Sequence, residues 1–317
     1  MMQEPTNISG SDSQNAINQL VLEYLRDQKS RRRWRWVWRG LWMAVLGLIA
    51  VQTFKAARVE SASDKPHVGI IDITGPIMDG APANADNLAK GLVNAYKNPS
   101  LKALILRINS PGGSPVQADY MYNTIRYYRA KYPSIKTYAV CVDLCASAAY
   151  YAAVATDEIY ASPASMVGSI GVVYNGFGFV DLLQKAGITR RLQTAGRNKG
   201  FLDPFSPEIP AQQMMLQTML NDVHQQFIAR VKEGRGSRLH INNDTFSGLI
   251  WTGEQARVQG LIDGFASSGQ LARKLVKSGV AVDYTATENV FDRFAKNMGT
   301  SFAGSLPGAL GIRPGFQ

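Results

Sequence analysis

Residues Ala103-Leu104-Ile105-Leu106-Arg107-Ile108 run directly into Asn109-Ser110-Pro111-Gly112-Gly113. The first half is an apolar run of the kind shown by a strand covered on both faces, and the second is an abrupt Pro-Gly-Gly turn at its carboxyl end. Outward from this stretch, strand and helix patterns alternate. Residues 67–77 are β-rich, and residues 87–96 place Leu88, Leu92, Val93 and Tyr96 on one helical face. Downstream come a helix over 116–132, a strand over 135–142, a small-residue helix over 146–155, and strands over 158–161 and 169–173. Helices over 179–186 and 211–233 follow, the second amphipathic through Met215, Met219, Val223, Phe227 and Val231. Thr252 with Gln255 three residues later predicts a capping box, and Gly260 fits that helix's stop. The pattern predicts an α/β domain over residues 67–283, without internal repeats.

Composition closes several classes. With 317 residues, 45% hydrophobic and 18% charged, the chain is neither a disordered tail nor a polytopic membrane protein. Two cysteines are too few for a disulfide scaffold or a four-thiolate zinc site. The net charge of +10 is concentrated early: residues 1–58 hold nine Lys/Arg against four Asp/Glu, half of the excess. Lys29, Arg31, Arg32, Arg33, Arg35 and Arg39 interleave with Trp34, Trp36 and Trp38, then give way to the uncharged stretch 40–54. Those 15 residues make about 22 Å of helix against a hydrocarbon core of ~30 Å, so a span must include the Trp-rich turn. A basic flank with interfacial Trp predicts a single-pass anchor over 34–55, a cytoplasmic tail over 1–33, and everything after the linker 56–66 on the outer side. An Arg-Trp cluster abutting an apolar span does not read as a nucleic-acid site. The Gly/Pro/Ser-rich stretch 284–317 reads as a loose tail.

Three segments carry chemistry. The Asn109–Gly113 turn can aim successive N–H groups into one concavity, as a developing oxyanion requires. Ser147, in Cys145-Ala146-Ser147-Ala148-Ala149-Tyr150-Tyr151, stands where a buried strand meets a helix; the position suits a nucleophile or a plain N-cap. Lys199 lies among Gly196, Arg197, Asn198 and Gly200, and would act as a general base only if desolvated. The three histidines, His67, His224 and His240, are flanked by no motif, and no Gly-x-Ser-x-Gly elbow surrounds Ser147. Cys141 and Cys145 read as buried free thiols. Neither a metal-ligand spacing nor a phosphate-binding glycine loop is present, so no cofactor and no metal are expected.

Together these segments resemble the signal peptide peptidase A family of membrane-anchored serine peptidases. The resemblance runs over roughly residues 66–270. Asn109-Ser110-Pro111-Gly112-Gly113 is similar to the family's oxyanion turn, Ser147 with Tyr150-Tyr151 to its nucleophile motif, and Gly168-Ser169-Ile170-Gly171-Val172 to its glycine strand. Trp251-Thr252-Gly253 through Gly260-Leu261-Ile262-Asp263 is similar to its closing helix. The resemblance implies a Clp protease/crotonase-like domain of repeated β-β-α units behind a single transmembrane helix. It further implies Ser147 as nucleophile, Lys199 as general base, the N–H groups of Gly113 and Ala148 as oxyanion donors with Gly112 in reserve, and Ser169 orienting the lysine. Ala148 and Ala149 depart from the family, which has glycines there, and so narrow the pocket. The expected activity is cleavage of short apolar peptides, such as remnant signal peptides, by a homo-oligomeric ring at a bacterial inner membrane, with the catalytic domain extracytoplasmic. A crotonase-like acyl-CoA enzyme and a catalytically silent scaffold are the alternatives.

Overall fold

The computed structural model describes residues 34, 36–48, 51, 64–277 and 279–286. The chain forms two units, residues 1–61 and 62–317. In the first, residues 36–48 form a helix (α1) on which Trp34 packs edge-on against Trp38 at 6.3 Å and the Arg39 guanidinium covers the Trp36 ring at 5.5 Å. No helix among the described residues is long and apolar enough to cross a membrane. Parts of the expected 34–55 span, the 1–33 tail, most of the 56–66 linker and residues 287–317 lie outside the described residues.

The second unit is built on one sheet. Strands β1 (His67–Thr74), β2 (Leu101–Ser110) and β3 (Lys136–Ala146) lie side by side in parallel, joined by helices α2 (Ala85–Tyr96) and α3 (Pro115–Lys131). The long β3 serves two neighbours. Its first part pairs with β4 (Glu158–Ala161) and its last three residues with β5 (Met166–Gly168). Strands β6 (Ile250–Thr252), β7 (Gly264–Phe265) and β8 (Ala281–Asp283) complete the sheet, and every pairing except β5–β6 is parallel. The element order is β-α-β-α-β-α-β-β where a regular β-β-α repeat was expected.

The alternation of β2 explains its apolar run. Leu104, Leu106 and Ile108 face the large core under α2, α3 and the helix α6 (Pro210–Arg235), whereas Ala103 and Ile105 face α8 (Ser268–Leu275) through Leu271 and Ala272. Both faces are dry, and each fully buried Leu or Ile contributes roughly 1.5–3 kcal/mol. Caps fix the helix starts: Asn84 Oδ1 accepts from Asn87 N at 2.8 Å, and the Thr252–Gln255 box opens α7 (Gly253–Val258).

Two expectations are corrected. The strand expected over 169–173 ends at Gly168 because Ser169 takes φ 51°, which turns the chain out of the pleat. Residues 284–286 belong to the domain and not to a loose tail: β8 adds to the edge at β1, Tyr284 N donates to Ile70 O at 2.8 Å, and the Tyr284 hydroxyl pairs with His67 Nε2 at 2.9 Å.

Candidate active site

The carboxyl ends of β2 and β3 create the site. Asn109, at the end of β2, donates from Nδ2 to Asp143 Oδ2 (2.9 Å) and accepts the Leu144 N–H on Oδ1 (3.1 Å), which ties the Pro-Gly-Gly turn to β3. The turn is locked from its other side by Ile77, whose N–H donates to Gly112 O and whose carbonyl accepts from Ser114 N, both at 2.8 Å. Gly112 (φ 96°) and Gly113 (φ 150°) use conformations that favour glycine. A methyl placed on Gly112 would lie 2.7 Å from Ser147 Cβ and 2.9 Å from Ala148 N, so the turn is stacked directly on the serine.

Ser147 follows β3 and precedes the fully buried helix α4 (Ala148–Ala153). It occupies the N-cap position but does not cap: its hydroxyl bonds no backbone N–H, and its backbone is at φ 55°, ψ −124°. Such a conformation costs of order 1–3 kcal/mol and persists only where surroundings enforce it. Here Ser147 N donates to Gly168 O (2.8 Å), Ser147 O accepts from Tyr151 N (3.0 Å), and buried Tyr150 anchors α4 through its hydroxyl on Leu261 O at 2.7 Å. Burial pushes the Tyr150 phenol far up, so this donor keeps its proton.

The positive φ therefore falls on the serine itself. Ala148 and Ala149 sit in helical backbone, so alanine costs nothing conformationally at either position; Ala148 lines the cleft and Ala149 is in the core. Among the described residues, the N–H groups of Gly113 and Ala148 donate to no acceptor, whereas Gly112 N is taken by Ser110 Oγ at 3.1 Å. Gly113 and Ala148 are thus the open donors, and Gly112 is engaged.

A cleft of about 400 Å³ opens on Ser147. Gly113, Ser169, Gly171, Ser247 and Gly248 line it with backbone and hydroxyls; Pro115, Ala148, Val172, Val173, Val223 and Phe227 line it with apolar surface. None of the lining residues carries a carboxylate. The wall from α6 and the Ser247–Gly248 segment were not assigned to the site by sequence. Val223 and Phe227 were legible only as part of an apolar helix face. The Gly171–Gly248 approach, where a Gly171 methyl would lie 2.9 Å from Gly248 Cα, had no local signal.

Ser169 is brought to the cleft, half-buried, its N–H on Leu249 O at 2.8 Å and its hydroxyl without a partner among the described residues. Lys199 is not. It is exposed in the segment between β5 and α6, its N–H on Gly196 O at 3.0 Å, and it does not line the Ser147 cleft. Within one chain, then, Lys199 is not among the described residues that line the Ser147 cleft. The histidines are occupied elsewhere: His224 donates Nε2–H to Ile170 O at 3.0 Å, His67 bonds Lys65 O and Tyr284, and His240 bonds Val258 O. Cys141 and Cys145 are free and buried, and burial together with the Cys141 neighbour pushes the Cys145 thiol well up. No cluster among the described residues could hold a metal ion.

The segment bearing Lys199 is unusual in its surface. Helix α5 (Val180–Lys185) buries no residue, and Val173, Phe177, Leu182, Ile188, Leu192 and Ile209 are exposed around it. The apolar stripe of α6 continues the exposure: Phe227 and Val231 are core, but Met215 and Met219 face outward.

Comparison with known proteins places this arrangement. The model of peptidase family S49 matches residues 129–283, and that of Clp protease matches 63–167; Ser147 lies in both ranges and Lys199 only in the first. The Na(+)/H(+) antiporter NhaA of Brucella melitensis is 41% identical over 212 residues, 65% of this chain but only 29% of the relative's own length. The Synechocystis protein slr0021, named as a protease, is 30% identical over 63% of this chain and 70% of its own. The chloroplastic serine protease SPPA of Arabidopsis thaliana is 28% identical over 60% of this chain and 28% of its own. The chain belongs to peptidase family S49, the signal peptide peptidase A family of serine peptidases.

Proposed function

We propose that the protein is a membrane-anchored serine endopeptidase that cleaves short apolar peptides, remnant signal peptides among them, with Ser147 as nucleophile and Lys199 of a neighbouring copy as general base. The observation that carries the reading is the uncapped, strained Ser147 held against two unengaged N–H donors at the mouth of an apolar cleft. Ser147 Oγ attacks the scissile carbonyl carbon as its proton passes to the neutral amine of Lys199. The N–H groups of Gly113 and Ala148 donate to the carbonyl oxygen as negative charge develops on it. The amine product leaves with the proton from Lys199, and water, deprotonated by the same amine, hydrolyses the acyl-enzyme. Ser169 holds the lysine by a hydrogen bond from its free hydroxyl.

General-base work needs an uncharged amine, which burial away from water favours. The exposed position of Lys199 in one chain does not supply that burial; contact with a second copy does. The same segment bears exposed apolar side chains from Val173 to Ile209, and clustered exposed apolar surface marks association sites. A homo-oligomeric ring that covers this surface would deliver the lysine to the next cleft. Apolar walls at Val172, Val173, Val223 and Phe227 suit apolar side chains. Residues 34–55 anchor the chain in a bacterial inner membrane with the peptidase domain outside, a reading supported by the Arg-Trp belt on α1 and its apolar continuation. The lack of a carboxylate in the cleft argues against acyl-CoA chemistry of the crotonase type.

The test is labelling with a fluorophosphonate and hydrolysis of a fluorogenic apolar peptide. Wild type is expected to do both, and Ser147→Ala and Lys199→Ala neither. Co-refolding the two inactive variants should restore peptide cleavage, because mixed assemblies pair an intact serine with an intact lysine. A Lys199→Ala protein that cleaves at the normal rate removes the base assignment, and mixtures that stay inactive remove the shared site.

A further inference from the structure

A polar link outside the cleft connects the two helices that form it. Tyr151 lies one helical turn after Ser147 and does not line the cleft. Its ring packs against Phe227 of α6 at 5.0 Å and edge-on to Tyr122 of α3 at 5.8 Å. Its hydroxyl donates to Asp119 Oδ1 at 3.0 Å. Asp119 is paired in turn with Arg230 of α6 at 3.5 Å, one turn beyond Phe227. Arg230 also pairs with Glu233 at 3.2 Å and stacks its guanidinium 4.7 Å over the Tyr122 ring. Burial pushes the Tyr151 phenol up to about 12, so its proton stays available to Asp119 across the neutral range.

Apart from the Tyr151–Phe227 ring contact and the seat of Gly234 on the Val154 carbonyl, the two helices are held by different means. The serine turn is pinned to β5 and Leu261, independently of α6. Helix α6 contributes Val223 and Phe227 to the cleft, and the other hydroxyl of α4, on Tyr150, bonds Leu261 instead of α6. Resting on the peptidase reading, we infer that Tyr151, through Asp119 and Arg230, is a positioning residue: it sets how closely the Val223–Phe227 wall stands to the serine, and so governs the fit of the substrate side chain rather than attack by Ser147. A wall that drifts loosens the apolar contact with substrate while the nucleophile and its oxyanion donors stay in place.

The experiment is steady-state kinetics on two fluorogenic peptides, with Ala or Leu before the cut, alongside the rate of fluorophosphonate labelling. Tyr151→Phe removes one hydroxyl and keeps the ring packing. Its KM for the Leu peptide should rise about tenfold or more, as expected for a lost bond to a carboxylate, with a smaller rise for the Ala peptide. Its kcat and labelling rate should stay within about twofold of wild type. Asp119→Asn, whose amide oxygen still accepts from Tyr151, should recover most of the KM; Asp119→Ala should resemble Tyr151→Phe, and the double variant should be no worse than either. An unchanged KM ratio in Tyr151→Phe overturns the inference, as does a parallel fall in kcat, labelling and melting temperature, which a purely structural role would give. Wild type that neither takes the probe nor cleaves either peptide removes the peptidase reading and this inference with it; active wild type with an unmoved Tyr151→Phe removes only the inference.

Discussion

Replacing Gly112 by alanine tests the coupling between the Pro-Gly-Gly turn and Ser147. Two costs combine at this position. The backbone is at φ 96°, where an L side chain is strained, and the new methyl would lie 2.7 Å from both Ala146 O and Ser147 Cβ and 2.9 Å from Ala148 N. Ordinary carbon contacts are about 3.5–4.0 Å, so the turn and the serine must separate by roughly 1 Å. A displacement of that size at the reacting centre costs about 100-fold in rate, and loss of one oxyanion donor costs about 100- to 1,000-fold. Gly75 supplies the control: it has φ 86°, but a methyl added there would meet nothing within 4 Å, so Gly75→Ala carries only the conformational cost, roughly 1–2 kcal/mol. The assay is the second-order rate of fluorophosphonate labelling, read beside the melting temperature. Both variants should lose a few degrees, but only Gly112→Ala should lose labelling, by about 100-fold or more. A folded Gly112→Ala protein that labels within about fivefold of wild type would refute the claim that this turn sets the serine's geometry.

Three further outcomes follow from the packing. Arg235, with a side chain only 1% exposed, donates to Asp263 at 2.8 and 3.0 Å and to Gly260 O at 2.7 Å, so Asp263→Asn should destabilise the domain by about 3–5 kcal/mol in denaturant titrations at neutral pH. Burial opposes ionisation of Asp263, but Arg235, the Ile159 N–H and Arg238 outweigh it and hold its carboxyl below the usual 3.8. The ionised pair therefore contributes above that value and is lost as the pH falls through the lower folded one, and the gap between wild type and Asp263→Asn should close at strongly acidic pH. Gly234 of α6 packs on the Val154 carbonyl with no room for a methyl, so Gly234→Ala should lower the melting temperature despite alanine's better helix propensity; an unchanged or raised value would show that α6 does not rest there. Cys145, buried and with its thiol pushed up, should resist iodoacetamide in the native protein and react once it is unfolded, as peptide mapping by mass spectrometry would show.

Much of the domain was legible in the sequence because its signals are local. The apolar run of β2, the Thr252–Gln255 box and the Pro-Gly-Gly turn are each fixed by neighbours within a few residues, and each appears where the pattern puts it. The placement of Ser147 between a buried strand and a small-residue helix was legible for the same reason. Strand β8 and the docking of Tyr284 were not, because three residues at a sheet edge carry little periodicity of their own and are held by β1, more than two hundred residues earlier.

Sequence alone determined which residue types stand at the strand ends, and hence the serine, the paired glycines and the family they point to. Only the tertiary structure decided that Ser147 bears the positive φ in place of the alanines after it, that Gly112 spends its N–H on Ser110, and that α6 walls the cleft. Tertiary structure also decided that Lys199 is exposed and does not line the Ser147 cleft within one chain. The physical reason is range: caps, turns and alternation are settled by steric and hydrogen-bonding rules over a few residues, whereas the cleft is made where separate segments between Gly113 and Gly248 are pressed together by burial, which no local pattern encodes.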